Sequence, residues 1–391
     1  MRCALLTVDF PPMPSGLGRA AFEVAKSLQQ AGCDVTVFDG SALFGVQTPW
    51  DGLAVVGCAP PPDGIAAFVR RRAALGHLVA PYYFRKAFLA ADRACPFDVV
   101  EATNWYAPAA LLGHHSPPLV VRNSTPAIDA LPATKGARDL LDLRAAHWLE
   151  ARTTRNAAAT ISNTQGHRLR IERDYRLDEC ADHAVISLAL DPATLAAGRS
   201  APPPPLGAPR LLFVGRAERR KGFAEALGAF AKVAEQRASR GEVVPALDLV
   251  GVDPAAVGDN ALARHITVYP KIDDHRLHAL YAGATLVLAP SRYESFGLVY
   301  REAAAFGRPL VACAEDPAAC EFVAASECGV LAAECTRDAI AAVIEDLLAA
   351  PASCERLRRN GLATAATLSR DTLGRETLAV YRRAIDRHAR A

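Results

Sequence analysis

The chain has 391 residues, more than one hydrophobic core usually supports, so two domains of roughly 200 residues each are expected. Apolar residues make up 51% and charged residues 22%, an ordinary globular balance that leaves no case for a disordered or fibrous chain. The formal net charge is +2, and no zinc knuckle, basic helix repeat or aromatic-basic sheet pattern points to nucleic acid.

The first residues, Met1 to Phe10, hold only a short apolar run before Asp9, too short for the core of a signal peptide. No later run reaches membrane-spanning length, so a soluble chain, at most membrane-associated, is expected. Ten cysteines are scattered from Cys3 to Cys354 with no C-x-x-C pair, and those from Cys313 to Cys335 are spaced for neither zinc nor a tight disulfide framework. They read as small apolar fillers in a reducing cytoplasm.

Arg2 to Val8 reads as a buried strand. The loop from Phe10 to Arg19 opens a helix running to about Gln30, and Asp34 to Phe38 is the next strand. The turn carries Gly16 and Gly18 without the third glycine of the dinucleotide fingerprint, so it gives no dehydrogenase inference. Short apolar runs at 53–56, 98–101, 119–121, 157–161 and 183–186 then alternate with helical stretches near 64–75, 81–94, 137–155 and 165–175. That alternation predicts a mostly parallel sheet covered on both faces.

Composition changes at 198–209, where Pro202 to Pro205 form an uninterrupted run with the stiffness of a polyproline spacer. The predicted domains are therefore 1–200 and 201–370, with a C-terminal helix over 371–391 that returns to clamp the two halves. Within the second, strands are expected at 210–214, 247–250, 266–269, 284–288, 310–312 and 329–331. Helices are expected at 223–236, 274–282 and 298–306, then from about Thr336, Ser353 and Asp371. Two such domains facing across a cleft favour a small-molecule ligand.

Ala289 to Ala303 is the most informative stretch. It runs from a strand into a helix and carries Glu294 and Glu302 with seven residues between them. Ligands of parallel sheets bind outside the carboxyl ends of the strands, where the following helix offers N–H groups and partial positive charge. Gly297 allows close backbone approach, and the two acids suit a ligand with an anionic part and several hydroxyls. Two solvated helix-end acids are the plain alternative. The turn from Gly215 to Gly222 adds Arg216 and Lys221, where arginine grips phosphate oxygens as a fork and lysine acts as a point charge. Alone this reads as a solvated basic turn; beside the glutamate pair it reads as a diphosphate grip.

With Ser15-Gly16-Leu17-Gly18-Arg19, Gly215-Arg216 with Lys221-Gly222, and the E-x7-E motif in Pro290 to Ala303, the chain resembles the GT-B fold glycosyltransferases of family 4. That resemblance implies an α/β fold of two doubly wound Rossmann-like domains and a retaining, metal-independent hexosyltransferase. Its donor would be a UDP-, GDP- or ADP-sugar, with no cofactor, and its partner a hydroxyl acceptor. It implies that Arg216 and Lys221 neutralise the departing diphosphate, Glu302 anchors the ribose, and Glu294 holds donor-sugar hydroxyls near the reacting carbon. Ser295, Phe296, Gly297, Leu298 and Val299 would present backbone to sugar and phosphate, Gly16 and Gly18 would approach the diphosphate, and Lys271 and Ile272 would meet the base.

The chain departs from the family after its D-V-V strand, where Glu101 and Thr103 stand in place of the usual histidine. Acceptor-side contacts are therefore expected from Glu101, Thr103, Asn104 and Asn123, although the Arg122 to Thr125 loop serves equally well as a helix cap. The 68–90 segment mixes Arg70-Arg71-Arg72 and Arg85-Lys86 with Tyr82-Tyr83-Phe84. It fits either a solvated helix face or contact with an anionic membrane that presents a lipid-linked acceptor. The expected role is cell-surface polysaccharide, glycolipid or glycoside synthesis in the cytoplasm or at the inner membrane face. A same-fold nucleotide-sugar epimerase or hydrolase, or a non-catalytic partner of an active transferase, are the alternatives.

Overall fold

The computed structural model describes residues 1–13, 15–113, 117–130, 136–178, 182–204, 207–258 and 262–390. Pro14, Cys180 and Pro205 lie outside the described residues. Two compact units result, one of Met1–Ala189 with Ser369–Ala391, the other Leu190–Leu368.

The first unit holds a seven-stranded parallel sheet. Its strands are β1 (Arg2–Thr7), β2 (Asp34–Leu43), β3 (Ala54–Ala59), β4 (Val99–Thr103), β5 (Leu119–Arg122), β6 (Ala159–Ser162) and β7 (His183–Val185), in the order β3-β2-β1-β4-β5-β6-β7. The second unit holds β8 (Arg210–Val214), β9 (Ala246–Val250), β10 (Ile266–Tyr269), β11 (Leu286–Leu288), β12 (Leu310–Cys313) and β13 (Gly329–Ala332), ordered β10-β9-β8-β11-β12-β13. The strands named pair in parallel within each sheet, and β4 and β11 are unbroken buried runs because helices cover both faces. In each sheet the order reverses beside the first strand, between β1 and β4 and between β8 and β11. These switch points are where doubly wound sheets hold ligands.

The units divide at 189/190 rather than at 200/201. Pro192–Ser200, inside the predicted first domain, is a helix of the second unit. Asp191 caps it by accepting from the Thr194 amide, Leu195 is buried, and Thr194 Oγ1 meets His278 Nε2 at 3.1 Å. The second unit closes at Leu368, whose carbonyl accepts from the Leu190 amide. The last helix, Arg370–His388, belongs to the first unit and lies on the helix Gly16–Gln30. No helix among the described residues is long and apolar enough to cross a membrane.

Two buried ion pairs fasten that last helix. Arg370 forms a two-pronged pair with Glu23 at 2.7 and 2.8 Å. On β4, Glu101 accepts from Arg122 at 2.8 and 3.1 Å and from the Tyr381 hydroxyl at 2.8 Å, while Arg122 also donates to Thr377. Glu101 is only 2% exposed, and its oxygens serve the fold. Removing one partner of a buried pair strands the other charge. Glu101→Ala is therefore expected to lower unfolding free energy by about 3–5 kcal/mol in urea titration. Asp371→Ala, at an exposed pair with Arg375, should cost under about 1 kcal/mol. Equal effects would remove Glu101 from this fastening role.

Candidate active site

The second unit builds its site at the β8/β11 switch point. The turn after β8 carries a single 3-10 turn, Arg219–Lys221, closed by Gly222 at φ +65°. A Cβ on Gly222 would stand 2.1 Å from the Pro290 carbonyl oxygen, so only glycine lets this turn touch the stretch after β11. Arg292 reinforces the junction: its amide donates to the Arg220 carbonyl, and its guanidinium reaches Glu225 at 2.8 Å.

Glu294 lies at the centre, its side chain 12% exposed. Oε1 accepts from Lys221 Nζ at 2.5 Å and Ser291 Oγ at 2.9 Å, and Oε2 meets Arg220 at 3.2 Å. Burial pushes this carboxyl up, but Lys221, Arg220 and Ser291 outweigh it, so its pKa falls below the ordinary glutamate value. Gly297, at φ +74°, then starts the helix Leu298–Ala305, a conformation that other residues adopt only under strain. The resulting small cleft is lined by the ends of β8 and β11 together with Lys221, Glu294, Gly297 and Val299.

The site therefore joins Lys221, Glu294, Gly297 and Val299, as the sequence suggested, and redistributes other roles. Arg216 points away, 66% exposed and paired with Glu218 at 2.9 Å; Arg220 occupies the place beside Glu294. Glu302 is buried on the second turn of the helix and accepts from Tyr281 at 2.8 Å. Phe296 is buried under the Arg301 guanidinium, which lies 4.0 Å from its ring centre and donates to its carbonyl. Ser295 and Leu298 are half-buried beside these residues. Lys271 is exposed and Ile272 half-buried on the loop after β10, an edge strand two places from β8.

Sequence reasoning missed Arg220, Ser291 and Asp316. Asp316, on the loop after β12, is fully buried and fixes the crossing from behind. It accepts from the Glu294 amide at 3.0 Å, the Tyr300 hydroxyl at 2.6 Å and the Ala318 amide at 3.1 Å. The only sequence signal was Asp316-Pro317, an N-cap followed by proline at the first helical position.

In the first unit, Ser15 caps the helix from Gly16 by accepting the Gly18 amide at 2.9 Å, which accounts for serine there; Gly16 is exposed and Gly18 buried. The expected acceptor contacts are corrected. Glu101, Thr103, Asn104 and Asn123 are 2%, 7%, 0% and 1% exposed, so none offers a surface to an acceptor. Asn104 Oδ1 accepts from the Ser124 amide at 2.7 Å and Nδ2 donates to Tyr175 at 2.9 Å; Asn123 Nδ2 donates to the Ile161 carbonyl. Thr103 accepts from the Trp105 amide. They clasp the loops after β4 and β5.

Burial raises Asp316 from 3.8 to about 6, so its folded form holds the proton more tightly. The stability that this group contributes is present below pH 3.8 and is lost as pH rises to about 6. Between pH 4 and 7 the wild type should therefore lose up to about 3 kcal/mol relative to Asp316→Asn in denaturant titrations. A pH-independent difference would contradict this.

Comparison with known proteins identifies the family. Residues 14–194 match the family model for Glycosyltransferase Family 4, and 198–364 match that for Glycosyl transferases group 1. Glycogen synthase of Mycobacterium tuberculosis is 27% identical, over 92% of this chain and 89% of that protein. A D-inositol 3-phosphate glycosyltransferase of Segniliparus rotundus is 36% identical, over 44% of this chain and 39% of its own. Among solved structures, sucrose-phosphate synthase from Thermosynechococcus elongatus superposes with a TM-score of 0.78 at 21% identity, over 99% of this chain and all of that one. The two family models together span both units, and the chain belongs to the family 4 glycosyltransferases of the GT-B fold.

Proposed function

We propose that this enzyme is a retaining glycosyltransferase that moves a sugar from a nucleotide-diphosphate sugar to a hydroxyl acceptor, in synthesis of a polysaccharide, glycolipid or glycoside. The observation that carries this reading is the convergence of Lys221 and Arg220 on buried Glu294 at the N-terminal end of a helix. Support comes from relatives named as a glycogen synthase, a D-inositol 3-phosphate glycosyltransferase and a mannosyltransferase.

Breaking a glycosyl-phosphate bond builds negative charge on the diphosphate and positive charge on the sugar. In this reading Lys221 and Arg220 leave Glu294 for the diphosphate oxygens, with Arg216, released from Glu218, as a third cation. Preorganised donors of this kind contribute about 3 kcal/mol each by analogy with oxyanion holes. Glu294, freed of its partners, accepts from donor-sugar hydroxyls, and Glu302 turns from Tyr281 to the ribose. Backbone N–H groups of Phe296 to Val299 add their dipoles. The departing phosphate oxygen takes the acceptor's proton. Charge neutralisation falls to these side chains, so the reading calls on no cofactor.

Lys221→Ala is expected to cut transfer and UDP, GDP or ADP affinity at least about a hundredfold, in line with loss of one such donor. Glu302→Ala should weaken nucleotide binding more than it alters sugar preference. Unimpaired turnover of Lys221→Ala would overturn the donor-site assignment.

The reading extends to peripheral contact with an anionic membrane, at the cytoplasmic face. It is supported by the helix Gly64–Arg70, which buries no residue although it carries Ile65 and Phe68, 85% and 60% exposed. Tyr82 is also exposed, and Arg70, Arg71 and Arg72 adjoin. Apolar side chains rimmed by arginine suit an anionic interface. Phosphatidylserine vesicles should sediment the protein and phosphatidylcholine vesicles should not; Ile65→Ser/Phe68→Ser should abolish this. Equal recovery with both vesicles would discard membrane contact.

A further inference from the structure

Between Glu294 and Glu302 the chain carries another charge, Arg301, on the helix Leu298–Ala305 and only 3% exposed. Its guanidinium lies between two aromatic rings, 4.0 Å from the centre of Phe296 and 4.2 Å from that of Phe322, on the turn Cys320–Ala324. Nη1 donates to the Phe296 carbonyl and reaches the Gly297 carbonyl at 3.4 Å, while Nε has no hydrogen-bond partner. Burial pushes the guanidinium down to about 10, so it is still charged at neutral pH. A buried cation of this kind is a poor stabiliser, since an apolar side chain of similar volume often serves the fold as well or better.

What Arg301 does fix is the direction of two peptide groups. The Phe296–Gly297 and Gly297–Leu298 peptides are trans, so each N–H points opposite to its carbonyl. With both carbonyls turned onto Arg301, the amides of Gly297 and Leu298 turn away from it. Among the described residues, neither of these amides nor that of Val299 has a protein acceptor. Gly297 and Val299 line the small cleft together with Lys221 and Glu294. The start of the crossing is held as well: Asp316 takes the Glu294 amide, and Arg220 donates to the Tyr293 carbonyl at 3.0 Å. A cation on a carbonyl also polarises its peptide, which strengthens the N–H on the other side as a donor.

We propose that Arg301 is a positioning residue for the nucleotide diphosphate, holding the Phe296 and Gly297 carbonyls inward so that the Gly297 and Leu298 amides meet the phosphate as preformed donors. This rests on the glycosyltransferase reading and adds to it a residue that touches no substrate atom itself.

Isothermal titration of the full chain with UDP, GDP and ADP, each beside its monophosphate, measures the preference for the second phosphate, and thermal unfolding measures stability. The wild type should bind one diphosphate more tightly than the matching monophosphate. Arg301→Met keeps an apolar stem between the two rings but no donor. Its diphosphate preference should fall about tenfold or more, as expected for misdirected donors, while Tm is unchanged or higher. Arg301→Lys, which keeps the charge and one donor group, should show an intermediate preference. Arg308→Met alters a second buried arginine, one that donates to the Pro202 carbonyl, and should keep the full preference. An unchanged preference in Arg301→Met, an equal loss of monophosphate and diphosphate affinity there, or the same loss of preference in Arg308→Met would overturn the proposal. Were Arg301→Met not to fold, an unchanged preference in Arg301→Lys would overturn it. A wild type that binds none of the three diphosphates would overturn the donor reading itself, and this assignment with it.

Discussion

A buried carboxylate needs partners, and the second unit of this enzyme is organised around that requirement at Glu294. Its charge draws Lys221 and Arg220 from the turn after β8 onto the crossing after β11, and so ties together the two strands that flank the switch point. Asp316 holds the same segment from a third strand through the Glu294 amide and the Tyr300 hydroxyl. In the proposed reading, the cations that would meet a diphosphate rest on Glu294, the acid that would meet the sugar. Arrival of a diphosphate would free the glutamate at the moment its own hydrogen-bond partners, the sugar hydroxyls, come within reach.

The same physics serves a different end in the first unit. Glu101 is also a buried glutamate on a central strand, paired bidentately with an arginine and bonded to a tyrosine. There the partners come from β5 and the C-terminal helix, so the network fastens that helix to the sheet it covers. Buried pairs of this kind contribute through the cost of breaking them more than through net attraction. Residues beside Glu101 tie the loops after β4 and β5.

The strands were legible because parallel strands covered on both faces are uninterrupted apolar runs, as in Leu286–Leu288 and Leu310–Cys313. The helix Pro192–Ser200 was not, because its short alanine-rich segment carries Gly198 and abuts a proline run that reads as a linker. Its Asp191 cap and Pro192 start were the available signal. Glu294 and Lys221 stood out through motif and spacing. The turn from Arg216 to Lys221 contains four cations, and only the 3-10 turn decides that Arg220 faces inward and Arg216 outward. Asp316 reaches the site from another strand, a juxtaposition that no local pattern encodes. Glu101 was misassigned because its partners, Arg122 and Tyr381, are distant in sequence and turn a polar strand residue into a core one.

The account stands most directly on where a nucleoside diphosphate lies. Crystals of the full chain soaked in turn with UDP, GDP and ADP should show one of them with its diphosphate at the β8/β11 switch point. Lys221 and Arg220 should then have moved from Glu294 to phosphate oxygens, with Glu302 on the ribose hydroxyls. A diphosphate bound elsewhere, or one bound there while Lys221 stays on Glu294, would contradict it.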